Sequence, residues 1–330
     1  MFMNKKERVE AALRGEPVDR VPISVWSHDY KGEWGIQSLM ESIVEHFIRY
    51  DWDFLKVNPR TTYLAEAWKA RYRPGDQNNT PPVFEDGPVR GSSDWKRLRV
   101  LEPDRGPLLE QLRLLQLLNH QVGYDAHFIQ TVSCPLGVAC SLVGGDPTLV
   151  QYSIREDRSA FHTGLRAITE TLTNYAIACM EQGASGLFYT TSGWASEGWL
   201  TPDQYREFGE QYDLEFLDVI KSRSKMTVLH NGGDHIYFDM LGSYPVHAIS
   251  WDAFAPGNPH LLEGKKRLGK AVMAGVNQKT LASGSPGQIE DEIAHTLGEA
   301  GTEHLLLAPG SAILPETPTK NLDALRRALS

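Results

Sequence analysis

TVLHNGGD, residues 227–234, ends a run of β-branched and apolar residues in an imidazole, and two glycines and an aspartate follow at once. A histidine in that setting suits a metal ligand, an acid/base group or a hydrogen bond within a tight corner. The residue types alone leave the three open. Other short apolar runs end in polar side chains as well: Ser27 and His28, Asn58 and Arg60, Ser133, Ser192, Trp194 and Glu197, Asn231 and Asp234, Asp252, Asn277, and Ser311. His230, Asp252 and Glu197 have the proton-handling types. Asp252 reads equally as an ion-pair partner of Arg60, and Glu197 as a carboxylate at a helix start. Arg60 offers a planar fork matched to carboxylate or phosphate, or an internal salt bridge to Asp53 or Glu66. Trp26, Trp194, Trp199 and Tyr63 are aromatic surfaces for a flat ligand, or plain core and rim. Asp234 reads first as a helix cap, and Cys134 as a buried, unreactive thiol.

These residues act together only if the chain gathers them. Eight candidate strands occur, at 21–26, 54–59, 126–132, 186–192, 226–231, 248–252, 271–276 and 305–310, and helical patterns separate them. Thr201 followed by Pro202 marks one helix start, Ser285 with Pro286 another, and Gly183 closes a long helix. This alternation is the signature of an α/β chain, read as a single (β/α)8 TIM barrel spanning 1–330. It carries an N-terminal helix and an inserted segment between its second and third strands (73–123), expected to overhang the mouth. No G-x-G-x-x-G opens a helix after an early strand, which takes support from a dinucleotide-binding sheet. In a parallel barrel, chemistry sits where the strands end, so the scattered polar residues become one set.

The bulk properties narrow the class. The 330 residues are 41% hydrophobic and 23% charged with net charge −9, a globular composition without a basic stripe for nucleic acid. Three cysteines in no paired metal spacing suit a reduced, cytoplasmic setting. The opening MFMNKKERVEAALRG is a charged amphipathic helix with no signal core, and no apolar run approaches the ~18 residues that would span a membrane.

Four stretches carry a resemblance across nearly the whole chain: ERVEAALRGEPVDRVPISVW, HNGGD followed by HAISWD, AGVNQKTLASGSPGQIEDEI, and LLLAPGSAILPETPTKNLDALRRAL. In this order they resemble the uroporphyrinogen decarboxylase superfamily. The resemblance implies a TIM barrel, usually paired as a homodimer, with a cup of polar residues at its mouth. True decarboxylases of the superfamily grip substrate carboxylates with an arginine-rich loop after the first strand; WSHDYKGEWG holds no arginine. Their tyrosine after the third strand has no counterpart in CPLGVACSLVGG, and their second-strand aspartate falls near Asn58 and Arg60. The corrinoid-dependent methyltransferase branch holds zinc with His-x-Cys on the fifth strand and Gly-Cys on the eighth; this chain keeps His230 but has Gly232 and Ser311 at the thiolate positions.

The resemblance, with those departures, implies a decarboxylase-like lyase releasing CO2 from an acidic, ring-containing small molecule by acid/base catalysis, without an organic cofactor. His230, Asp252 and Glu197 would be catalytic. Trp26, His28, Asn58, Arg60, Tyr63, Ser192, Trp194, Asn231 and Ser311 would bind substrate. One alternative is a corrinoid-linked methyltransferase with a corrinoid protein as partner and an altered zinc site of His230 with His28, Asp252 and Glu197. Another is a non-catalytic protein that binds a tetrapyrrole or corrinoid.

Overall fold

The computed structural model describes residues 2–77 and 79–329. Seven parallel strands form one sheet: β1 Phe54–Val57, then, past a two-stranded hairpin of β2 Arg71–Arg73 and β3 Val83–Asp86, β4 His127–Ser133, β5 Gly186–Thr190, β6 Val228–Asn231, β7 Ala248–Trp251, β8 Ala271–Val276 and β9 Leu305–Pro309. The sheet order is β1-β4-β5-β6-β7-β8-β9, each strand parallel to the one before it and joined to it through helix. Both faces of these strands are buried, which explains why they read as near-continuous apolar runs.

The period of two divides the side chains into two cores. Phe54, Ile129, Phe188, Val228, Met273 and Leu306 turn to the concave side, in one apolar cluster with Trp26. Leu55, Val57, Phe128, Leu187, Leu229 and Leu305 pack outward in the larger cluster beneath the helices. Further along the strands the inward positions change character: Lys56, Thr131, Thr190, His230 and Ser250 follow the apolar ones. The inner face is thus greasy where the strands start and polar where they finish.

Seven of the eight expected strands form, most within two residues of the expected bounds. The run at 21–26 does not join the ladder, so the expected closed eight-stranded barrel is corrected to a seven-stranded curled sheet with a seam. The run meets β9 at an isolated Ile23–Leu307 bridge, with Leu307 N donating to Pro22 O at 2.8 Å and Ser24 N to Leu307 O at 3.2 Å. On its other side, Asp53 occupies both backbone groups of Ile23. Its N–H donates to Ile23 O at 2.9 Å and its carboxylate accepts from Ile23 N at 2.9 Å. Beyond that point the segment and β1 separate around a cavity of about 60 Å³ bordered by Ser24, Trp26, Ser42, His46 and Lys56.

Asp53 is fully buried and also accepts from Arg8 Nη1 at 2.7 Å and from Arg20 at 2.5 and 2.9 Å. Arg8 lies on the N-terminal helix Lys5–Arg14 and is clamped a second time by Asp19 at 2.6 Å, which holds the Asp19 carboxyl well below the usual range. One carboxylate therefore ties the first helix, the Asp-Arg-Val-Pro corner and the first strand together. The inserted segment contributes the hairpin and the helix Gly106–Val122, and Asn79 near the hairpin turn stands beside His28 and Ser311 at the mouth. Thr201 and Ser285 cap helices as expected. Asp234 does not: the next helix, Phe238–Leu241, starts later, with Tyr237 at the position before it and no side-chain cap.

Removing one partner of a buried, fully engaged ion pair costs about 3–5 kcal/mol because the other charges stay buried. Asp53→Ala should lower the unfolding free energy measured in urea by that amount, and a variant unfolding with the wild type would show that the seam does not depend on this carboxylate.

Candidate active site

At the polar end of the sheet lies a cavity of about 200 Å³. Eight of the residues expected from sequence border it: Trp26, His28, Asn58, Arg60, Tyr63, Ser192, His230 and Ser311. They arrive from the 21–28 segment and from the ends of β1, β5, β6 and β9, so residues nearly 300 positions apart share one wall.

His230, the third residue of β6, points inward. Its ring stacks on Phe188 at 5.0 Å and its Nδ1 is 3.2 Å from Ser250 Oγ. Burial, then the nearby Lys56 charge, lowers its pKa to about 3, so the ring is neutral at physiological pH. A Cβ at Gly232 would stand 3.4 Å from His230 Nε2, so glycine leaves that nitrogen open toward the mouth. Gly233 has φ +95°, a left-handed turn that glycine adopts without penalty.

Lys56 was not singled out from the sequence, and it dominates the site. It is the only lysine among the buried charged side chains of the described residues. Its ammonium lies 4.7 Å from the Phe188 ring centroid and 5.3 Å from that of Trp26, and it donates to Asn58 Oδ1. Asn58 Nδ2 donates in turn to Ser27 O at 3.1 Å. No carboxylate forms a salt bridge with Lys56 among the described residues, and burial lowers its pKa to about 7, partly offset by Glu33. The signal was available: FLKV puts one ionisable residue at an inward position of an otherwise apolar strand. A rule that collects only residues past the strand ends passes over it.

His28 Nδ1 is 2.9 Å from Glu33 Oε2, and its ring stacks on Tyr30 at 4.8 Å. Glu33 is fully buried, and its Oε1 has no hydrogen-bond partner among the described residues. Hydroxyls complete the floor: Tyr63 donates to Thr131 O at 2.7 Å, and Ser133 and Ser192 share a 2.7 Å hydrogen bond. Ser192 adopts φ +53°, a conformation costing a serine roughly 1–2 kcal/mol, where the backbone turns sharply at the rim.

Several expected roles are corrected. The Arg60 fork is already filled, bonding Glu66 at 2.9 Å and Glu110 at 2.7 Å and lying over Trp34, so it is not free to grip a substrate carboxylate. Asp252 therefore does not pair with Arg60. It lies outside the cavity lining, where its carboxylate accepts from Phe254 N at 2.9 Å against Gly310, at which a Cβ would come within 2.5 Å of Asp252. Glu197 is exposed and away from the cavity. Trp194 is packed in the outer core. Asn231 points outward and is consumed by Thr191 and by Ala195 O at 2.7 Å. No three His, Cys, Asp or Glu side chains converge as metal ligands among the described residues, so the set His230, His28, Asp252 and Glu197 does not fit zinc. Cys134 is buried as a helix cap, and burial raises its thiol pKa.

Residues 37–330 match the sequence model of the family described as Uroporphyrinogen decarboxylase (URO-D). The chain belongs to the uroporphyrinogen decarboxylase family. Its relatives within that family divide in activity. A uroporphyrinogen decarboxylase of Prochlorococcus marinus is 27% identical over 73% of this chain and 68% of its own length. The methylcobamide:CoM methyltransferase MtaA of Methanosarcina barkeri is 26% identical over 97% of this chain and 96% of its own. A methyltransferase structure from Methanosarcina mazei superposes with a TM-score of 0.83 at 23% identity, over 99% of this chain and 98% of that one, and so shows the shared family fold. No helix among the described residues is long and apolar enough to cross a membrane.

Between about pH 7 and the ordinary lysine value near 10.4, Lys56 is neutral when folded and charged when unfolded. The unfolded chain then binds one more proton, so stability rises with pH across that window. Urea unfolding of wild type and Lys56→Met at pH 7 and 10 checks this. The difference should move in favour of wild type by on the order of 1 kcal/mol or more as pH rises, and a pH-independent difference would place the amine in contact with water.

Proposed function

We propose that this family member is a carboxy-lyase that releases CO2 from a small, acidic, ring-containing molecule. The observation that carries the reading is the buried Lys56 ammonium at the mouth, facing aromatic walls and paired with no carboxylate. A substrate carboxylate would supply the missing counter-charge, the role that Arg60 cannot fill. The cavity of about 200 Å³ lies below the ~300–1,000 Å³ usual for drug-sized ligands, which favours one ring over a tetrapyrrole.

In this mechanism the ring lies against Trp26 and Phe188, and Thr131, Thr190 and His230 Nε2 hold its polar substituents. The bond between ring carbon and carboxylate breaks, CO2 departs, and the electron pair passes into the ring. Lys56 delivers a proton to that carbon, becomes neutral, and is reprotonated from solvent. The ring serves as electron sink, so the reaction draws on no organic cofactor.

A second reading, methyl transfer with a corrinoid partner, is favoured by the near full-length match to the methyltransferase. It conflicts with the absent thiolates at Gly232 and Ser311.

Carboxylated pyrroles, indoles and benzoates, screened for CO2 release, test the proposal. The kcat/KM for CO2 release should fall as pH rises through about 7, as Lys56 loses its proton in the free protein, and Lys56→Met should lower it at least ~10²-fold. Undiminished CO2 release by Lys56→Met would defeat it. Stoichiometric zinc in purified protein, lost in His230→Ala, together with thiol methylation from methylcobalamin, would favour the second reading. Neither CO2 release nor thiol methylation by the wild type, with a tetrapyrrole or corrinoid bound, would point to a binding protein.

A further inference from the structure

We propose that Lys56 is also a nucleophile, capturing small planar aldehydes and ketones as a Schiff base within the same cavity. This activity goes beyond the lyase reading and does not require it.

The geometry is the first ground. Three exposed or half-buried lysines hold their charge beside carboxylates, Lys5 with Asp51 at 2.9 Å, Lys96 with Asp157 at 2.9 Å and Lys221 with Asp218 at 2.8 Å, while Lys6, Lys265 and Lys270 donate to backbone carbonyls outside the cavity. Lys56 has instead an uncharged acceptor, Asn58 Oδ1, and two aromatic rings. When the amine gives up its proton it keeps N–H donors for Asn58 Oδ1 and loses only the attraction of the cation to the two ring faces. The second ground is access, since the side chain borders a cavity large enough for one ring and its substituents. The third is the company it keeps. His230 supplies a neutral imidazole and Thr190 a hydroxyl on the same wall, groups able to exchange hydrogen bonds and protons with a carbonyl oxygen.

The charged and titratable groups around Lys56 are few. Glu33, held by His28, favours the ammonium; His230, from β6, is neutral; the Arg60 charge is matched by Glu66 and Glu110. Burial outweighs Glu33 and brings the amine to about 7, so a large share is unprotonated at neutral pH. An ordinary lysine near 10.4 has on the order of 10⁻³ of its amine free there. Desolvation of this kind is a general route to an activated lysine nucleophile.

The step balances without another reactant. The Lys56 nitrogen lone pair forms a bond to the carbonyl carbon and the C=O π pair moves to oxygen, giving a carbinolamine after proton transfer. The nitrogen pair then expels the oxygen as water, with one proton added, leaving a protonated imine. Water reverses the sequence and frees the amine.

Benzaldehyde and sodium cyanoborohydride, added to the full chain and followed by intact mass and peptide mapping, test it. One adduct per chain is expected, at Lys56, at least 10-fold above any other lysine at pH 7, rising as pH increases through about 7. Lys56→Arg should lose the adduct while unfolding as cooperatively as wild type. Labelling spread over surface lysines, or equal labelling of Lys56→Arg, would overturn the proposal. The pH trend is opposite to that expected for CO2 release, so the two readings separate. An adduct without decarboxylation supports the nucleophile and defeats the lyase; CO2 release without an adduct does the reverse.

Discussion

The carboxylate of Asp53 is the constraint on which the site rests. It stands at the seam where the first segment meets the sheet through isolated bridges rather than a ladder, and it joins Arg8, Arg20 and the Ile23 backbone. Three residues further along the chain from Asp53 is Lys56, and three further along from Ile23 is Trp26. The distance between amine and indole, 5.3 Å, is therefore set by one buried ionic junction at the opposite, apolar end of the strands. A backbone ladder would have fixed these two segments in register. A side chain does so here, and the strands are free to part above it.

Alternation along the strands does the remaining positioning. Strands β1, β4, β5, β6 and β7 each follow an apolar inner residue with a polar one, while the inner residues of β8 and β9 stay apolar, so the layers stack without any single strand carrying a motif. This layering also explains the electrostatics. Lys56 and His230 stand just above the apolar layer, in contact with Phe188, where water is displaced and charge is disfavoured. Asp252 and Glu197, nearer solvent, lie outside the cavity wall.

Much of this architecture was legible from the chain. Seven apolar runs became strands because parallel strands buried on both faces have little choice of composition. The eighth, at 21–26, has the same composition, but Pro22 has no N–H and Asp53 occupies Ile23, neither of which a hydrophobic pattern reports. Eight of twelve expected site residues reach the cavity because position at a strand end is readable from sequence. The direction of a side chain is less so: Asn231 follows His230 directly and must face the other way, and Trp194 turns into the helical layer. Pairing is harder still. Glu66, six residues from Arg60, was a readable partner and does pair with it, but Glu110 meets the arginine across 50 residues with no local signal in either.

The small hollow at the seam has a consequence of its own. Lys56, Trp26 and Asn58 border both it and the main cavity, so this wall of the site is only one residue thick. At about 60 Å³ the hollow is the size of a water molecule or two. The hydration of its outer lining, Ser42 and His46 on the helix Ile36–Tyr50, thus bears on the dielectric surroundings of the lysine from behind. Substitutions at Ser42 and His46, the positions of that helix that border the hollow, would alter the space behind the amine while leaving every residue that borders the main cavity unchanged.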